Sequence, residues 1–338
     1  MANLMPFTNI DFNNKSILIT GGAGFIGSNL AFYFQDNYPK ANIVIFDCFR
    51  SGDIFPNGNL KSFGHYKNLI DFYGRIICGN INNPSDLSLL DEYKFDYIFH
   101  QAAISDTRVY DQEIIMKTNV NSFYWFLEKA KNDNSSLIYA SSAATYGSLP
   151  SPQKIGNELP ENPYGFSKYA MDNIAKEFSM LNPDIRIIGL KFFNVYGPKE
   201  YFKAKTSSMV VQLGHQILSG QSPRLFENSN KILRDFIFIE DVIQANIKAC
   251  RSKISGTFNV GSGTPRSFQD IADILQKELG TNYPTEYFTN PYDGYQMHTQ
   301  ADISLTKSHL DFEPAYTLEM GIKNYIPDIK KTHNLAFD

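Results

Sequence analysis

Short apolar runs recur through the first half of the chain, each pair separated by enough residues for a helix. Residues 16–20 (SILIT) form the first run and stop at glycines. Phe25, Ile26, Leu30 and Phe34 then recur at helical spacing. The runs at 41–47 (ANIVIFD), 73–81 (YGRIICGNI), 95–103 (FDYIFHQAA) and 136–142 (SLIYASS) read as the second to fifth strands. A helix over about 111–131 is expected from Val120, Phe123, Trp125, Phe126 and Leu127. Another begins near Tyr164 and leads into 185–197 (IRIIGLKFFNVYG). Strands that are apolar throughout and alternate with helices indicate a parallel sheet covered on both faces. Right-handed crossovers make it a doubly wound, Rossmann-type α/β fold.

After Pro198 the pattern changes. Residues 199–234 read as loop and helix, 236–250 as a strand followed by a helix from near Glu240, 256–263 as a short strand and 268–279 as an amphipathic helix. The expected organisation is a dinucleotide-binding domain over 15–198, to which late strands around 236–262 contribute. A smaller C-terminal substrate lobe is expected from 199–235 and 263–330. No linker-like run divides the two, and no repeat is visible.

Composition narrows the function classes. The net charge of −4 over 338 residues gives no electrostatic footprint for nucleic acid or an anionic membrane. No apolar stretch approaches the ~20 residues of a spanning helix, and the polar N-terminus has no secretory h-region. Cys48, Cys78 and Cys250 are scattered, with neither a disulfide framework nor metal-ligand spacing, so a cytoplasmic protein without a metal site is expected.

The candidate chemistry starts at Thr20-Gly21-Gly22-Ala23-Gly24-Phe25-Ile26-Gly27, a GxxGxxG turn between a strand and a helix. Gly21, Gly24 and Gly27 permit a tight turn and close approach of backbone to a pyrophosphate, which the helix N-terminus attracts. Asp47 ends the next strand about 20 residues on, where an acid binds the adenosine ribose. Asp47 favours NAD, whereas Arg50 offers a partner for a 2′-phosphate and would permit NADP, so both dinucleotides remain open at this point.

Tyr164 and Lys168 form a YxxxK pair on one helix face. An ammonium beside a phenol lowers its pKa, so the tyrosine can accept a hydroxyl proton while hydride leaves for a nicotinamide. Ser142, at the end of the fifth strand, offers a hydroxyl to hold the reacting oxygen against the phenol. His100 reads as a core histidine, Trp125 as helix packing, and His298 as either scaffold or pocket.

GGAGFIG, SSAATYG, YGFSK and FFNVYGP together resemble the extended short-chain dehydrogenase/reductase family of nucleotide-sugar enzymes, over nearly the whole chain beyond Lys15. Members that eliminate water carry an Asp-Glu pair where this chain has Ala143 and Ala144, so the resemblance disfavours dehydration. The segments 222–229 (SPRLFENS), 234–236 (RDF), 295–302 (YQMHTQAD) and 199–203 (KEYFK) are similar to the branch that epimerises ADP-heptoses at C6.

That branch implies a tightly held NADP, oxidation at C6 to a ketone and return of hydride to the opposite face, in lipopolysaccharide core synthesis. It implies two acid/base groups, Tyr164 and Lys203, with Lys205 close enough in sequence to exchange with Lys203. Carried over as cofactor positions are Phe25, Ile26, Asp47, Cys48, Lys67, Gln101, Ala102, Ala103, Ile104, Ser105, Asn119, Lys168 and Val195. Cys48 stands where Asn is more usual, and Lys67 favours NADP. Asn194, Lys205, Gln212, Phe226, Glu227, Asn228, Ser229, Arg234 and Tyr295 match substrate positions, Arg234 being the candidate for the diphosphate. The resemblance also implies a homo-oligomer and suggests a pentamer. Another nucleotide-sugar epimerase or reductase, such as a UDP-hexose 4-epimerase, and a non-catalytic dinucleotide sensor are the alternatives.

Overall fold

The apolar runs fold as strands because they bury both faces. In the computed structural model, which describes residues 7–291 and 296–335, four of five residues of β1 (Ser16–Thr20) and all six of β6 (Ile187–Phe192) are buried. Between them come β2 (Asn42–Asp47), β3 (Arg75–Cys78), β4 (Tyr97–His100) and β5 (Ser136–Ser142). With Gly256–Val260 these make one seven-stranded parallel sheet, in the order Gly256–Val260, β6, β5, β4, β1, β2, β3. This is the expected doubly wound Rossmann-type architecture.

The order reverses between β1 and β4, which opens a crevice at the carboxyl ends of the strands. Register brings Thr20 opposite both Phe46 and His100, and Ser142 opposite Phe192, so the candidate residues converge on that edge. The helix α1 (Phe25–Asn37) follows β1 directly and packs its apolar stripe of Leu30, Ala31 and Phe34 into the core.

Two readings of the strands change. The run at 73–81 shortens to β3, whose side chains are mostly exposed because it is an edge strand with a single neighbour. The run at 185–197 splits at Phe193. Asn194–Tyr196 leaves the large sheet to pair in parallel with Phe236–Phe238. Phe193 packs with Tyr146 and Ala301 beside the split. The helical run at 111–131 is also interrupted, with a π turn over Met116–Asn121 between Gln112–Ile115 and Ser122–Asp133.

Beyond Pro198 three helices, Met209–Leu218, Phe268–Leu279 and Leu318–His333, pack together. The second carries a full capping box of Ser267 and Asp270 at its start and Gly280 in the left-handed conformation at its end. Among the described residues no helix is long and apolar enough to cross a membrane.

Candidate active site

The crevice is a cleft of about 570 Å³ lined by the glycine turn, the ends of β2, β4 and β5, the start of the helix Pro163–Leu181 and the segment after Pro198. Gly21 sits at φ +66°, and a Cβ there would meet the Ala102 backbone N at 2.8 Å. A Cβ on Gly27 would meet the Gly21 carbonyl oxygen at 2.3 Å. Turn and helix are therefore packed backbone on backbone. Gly24 caps α1 with no side-chain bond, so the helix start lines the cleft as bare peptide. Gln101 also lines it, with a buried Oε1 that has no hydrogen-bond partner. A cradle of backbone N–H groups beside a polar group awaiting a partner fits a dinucleotide.

The cleft is also lined by Phe25, Ile26, Asp47, Cys48, Ala102, Ala103, Ile104, Ser105, Ser142, Tyr164, Lys168, Asn194, Val195 and Lys203. Asp47 is buried, and its carboxylate accepts N–H bonds from Ala23 (3.0 Å) and Phe49 (2.7 Å). Burial pushes its pKa up and those bonds pull it down. The acid thus ties the glycine turn to the loop after β2.

Tyr164 is buried and hydrogen-bonded to Ser142, whose Oγ also accepts the Ala144 N–H at 3.1 Å. Burial pushes the phenol pKa up, and the Ser142 bond pulls it back. The expected pairing of the Lys168 ammonium with the phenol is replaced by another. Lys168 Nζ donates to the Ala140 carbonyl at 2.7 Å and to Met171 Sδ at 3.6 Å. Ala140 belongs to β5, so this bond ties the helix to the strand that ends in Ser142. Burial lowers the Lys168 pKa to about 8, with Asp172 opposing.

A titration follows. The fold disfavours the Lys168 ammonium, so the unfolded chain binds more protons between about pH 8 and the ordinary 10.5. This group therefore makes stability rise with pH across that window. Lys168→Met should flatten that part of a melting-temperature-against-pH curve, measured by scanning fluorimetry; an unchanged curve would contradict the shift.

Lys203 and Lys205 separate in space. They share the six-residue 3-10 segment Tyr201–Thr206, which is broken at Ala204 with φ +56°. Lys203 lines the cleft with its Nζ 5.7 Å from the Phe25 ring centroid, whereas Lys205 is exposed and does not line it. Burial pushes the Lys203 pKa down, and Glu200 and Asp106 push it up.

Other expected contacts lie outside the cleft lining. Arg50 donates to the Phe202 carbonyl. Lys67 Nζ stands 5.9 Å from the Tyr66 and Phe202 ring centroids. Asn119, on the π turn, braces the Ile104 N–H (2.9 Å) and carbonyl (3.0 Å) and donates to Ser167 Oγ at 2.9 Å, so it ties the loop after β4 to the YxxxK helix. Gln212 donates to the Ser207 carbonyl at 2.7 Å.

Phe226 ends a strand paired with Glu286–Phe288, and Glu227, Asn228 and Ser229 make the turn after it. Arg234 is buried and donates to the carbonyls of Leu233 and Gln296. An ion pair with Asp235 is not seen, because that buried carboxylate accepts N–H bonds from Ser262, Gly263 and Ala301. Tyr295 lies outside the described residues. His100 is a core histidine, its Nδ1 2.9 Å from Thr20 Oγ1, and burial lowers its pKa to about 3. His298 is exposed.

The sequence shows no sign of two further parts of the cleft lining, the loop residues Phe55, Leu60 and Ser62 to Gly64 and the stretch Thr206 to Met209. Neither has a periodic pattern. Thr20 is likewise unmarked in the sequence; its Oγ1 accepts the Ala102 N–H at 3.2 Å and so positions the β4 end.

Residues 17–261 match the family described as NAD dependent epimerase/dehydratase. The chain is similar to an ADP-L-glycero-D-manno-heptose-6-epimerase of Brachyspira hyodysenteriae, with 35% identity covering 94% of this chain and 98% of that protein. Its structure is similar to that of the Helicobacter pylori ADP-L-glycero-D-manno-heptose-6-epimerase, with 48% identity, 96% of this chain and 99% of that chain covered, and a TM-score of 0.88. A UDP-N-acetylglucosamine 4-epimerase from Methanobrevibacter ruminantium has 25% identity, covers 95% of this chain and 99% of its own, and gives a TM-score of 0.83.

Proposed function

The chain belongs to the NAD dependent epimerase/dehydratase family, and from that premise we propose that it inverts C6 of an ADP-activated heptose. The reaction converts ADP-D-glycero-D-manno-heptose to ADP-L-glycero-D-manno-heptose with a resident NADP, in lipopolysaccharide core assembly. A bound dinucleotide supplies a hydride acceptor and then the donor of the same hydride.

The observation that carries this reading is the presence of two proton-handling groups, Tyr164 and Lys203, on one cleft. A redox-neutral inversion takes one hydroxyl proton on one face and, once the ketone has turned, returns one on the other, which one group serves poorly. Ser142, bonded to Tyr164, orients the sugar oxygen. Tyr164 accepts its proton. Lys203 serves the other face: its ammonium returns a proton to the ketone oxygen as hydride comes back, and desolvation, which weakens its hold on that proton, makes it the better donor. Lys168 anchors the helix carrying Tyr164 through the Ala140 carbonyl.

Residues 199–235 and 263–330 form the substrate lobe in this reading, with Arg234 meeting the diphosphate. The protein acts as a homo-oligomer in the cytoplasm. NADP is assigned over NAD because two cations, Arg50 and Lys67, follow β2; Asp47, whose oxygens each accept one backbone N–H bond, keeps acceptor capacity for a ribose hydroxyl and does not decide between the two.

Incubation with ADP-D-glycero-D-manno-heptose and, separately, with UDP-hexoses tests the substrate. Turnover of the heptose alone supports the reading, and turnover of UDP-hexoses alone overturns it. Denaturing the purified protein and chromatographing what it releases should yield about one NADP per chain. NAD in its place would refute the cofactor assignment.

A further inference from the structure

The segment from Gly197 to Ser208 carries Lys203 in an unusual backbone. Gly197, Lys199 and Ala204 all have positive φ, at +145°, +73° and +56°. Two of these are not glycine, and such conformations persist only where surrounding contacts hold them. The contact that spans the segment is the carboxylate of Glu200, which has no exposed surface. Its Oε1 accepts the Gly197 N–H at 3.1 Å and the Ser208 hydroxyl at 2.7 Å. Its Oε2 accepts the Ser208 N–H at 2.6 Å. The Glu200 carbonyl accepts the Lys203 N–H at 2.9 Å. One side chain therefore ties both ends of the loop, while its backbone fixes the turn that aims Lys203.

We propose that Glu200 is a positioning residue for Lys203: its buried carboxylate closes the loop that presents the ammonium to the cleft and supplies the countercharge behind it. This proposal rests on the role given to Lys203 above. The charges that face Lys203 are Glu200, on its own segment, and Asp106, from the loop after β4; the Phe25 ring of α1 covers it as well. Glu200 is faced by Tyr325 from the helix Leu318–His333, which is hydrogen-bonded to it, and by Tyr196 from Asn194–Tyr196. Lys203 is the cation whose charge acts on it, so its charge bears on Lys203 in turn. Donors converging on both oxygens favour the ionised carboxylate, whereas burial opposes it.

A glutamine at position 200 keeps the size but turns one acceptor oxygen into an N–H group that opposes a backbone donor, and it removes the charge. The test compares pH–rate profiles of wild type, Lys203→Met, Glu200→Gln and Ser208→Ala on the ADP-heptose. Lys203→Met is expected to abolish the limb due to the lysine. In Glu200→Gln that limb is expected to move to lower pH by on the order of one unit, since a countercharge is lost. Its kcat should fall about tenfold with KM nearly unchanged, the mark of a group misplaced in the reaction rather than in binding.

Ser208→Ala removes one bond to the carboxylate and leaves the charge. It should lower kcat about fivefold, the worth of one hydrogen bond, with the limb in place. A folded Glu200→Gln with an unmoved limb overturns the proposal. If Glu200→Gln does not fold, a wild-type kcat in Ser208→Ala overturns it. Wild-type rate and limb in Lys203→Met overturn the role of Lys203, and the proposal with it, and so mark the failure of the functional reading as distinct.

Discussion

Tyr164→Phe should reduce kcat by on the order of a thousandfold, within the range that a positioned general acid/base contributes. The variant removes one oxygen from a buried ring. Its expected cost in stability is small, about 1 kcal/mol for one hydrogen bond, because Ser142 Oγ still accepts the Ala144 N–H. The loss should therefore appear in the chemistry and not in folding or in the amount of dinucleotide carried. Epimer formation followed by anion-exchange chromatography, beside circular dichroism and dinucleotide stoichiometry, separates the three. Activity within tenfold of wild type would remove Tyr164 from the proton transfer and leave Lys203 to act alone. The predicted drop is in kcat with KM little changed, since burial that raises the phenol pKa concerns the proton more than the grip on the sugar.

The parts of this protein that could be read in advance are those with a period. β1, β2 and β5 announce themselves as continuous apolar runs because parallel strands in a covered sheet bury both faces. The glycine turn is legible because backbone-on-backbone packing admits no Cβ, as at Gly27. β3 was readable as a strand but not as an edge, since exposure there depends on which neighbour is missing. The break at Phe193 was invisible, because Phe192 and Phe193 are both apolar and only tertiary pairing sends Asn194–Tyr196 to a different partner. The YxxxK spacing correctly placed Tyr164 and Lys168 one turn apart, but it carried no information about the competing acceptor at Ala140, which comes from a strand 28 positions away. Lys203 and Lys205 differ by two positions in sequence. What separates them is the left-handed residue between them, Ala204, and a backbone angle of that kind at a non-glycine position leaves no mark in composition.

Gly21→Val should strip the protein of its dinucleotide. Position 21 has φ +66°, where a β-branched side chain is strained by about 1–2 kcal/mol before any contact is counted. The new Cβ would also stand 2.8 Å from the Ala102 N and 3.0 Å from its Cα, both backbone atoms that cannot rotate away. Either the turn or the β4 end must shift, and overpacking of that kind costs about 1–3 kcal/mol more. Each shift moves Gly24 and the start of α1 off the position where peptide N–H groups meet a pyrophosphate. The expected result is a folded protein with a melting temperature lower by roughly 5–10 °C and a dinucleotide content below about a tenth of wild type, as misplacing a helix-terminus anion site removes most of its affinity. Gly58→Val is the matched control. Gly58 has φ +78° but nothing within 4 Å of a Cβ, so it bears the backbone strain without the close approach. It should keep its dinucleotide. A Gly21→Val protein that retains a full complement would show that the dinucleotide is held elsewhere. If both variants lose it, left-handed strain alone is enough to empty the cleft. Loss in Gly21→Val alone identifies the contact between the turn and Ala102 as what holds the pyrophosphate site in shape.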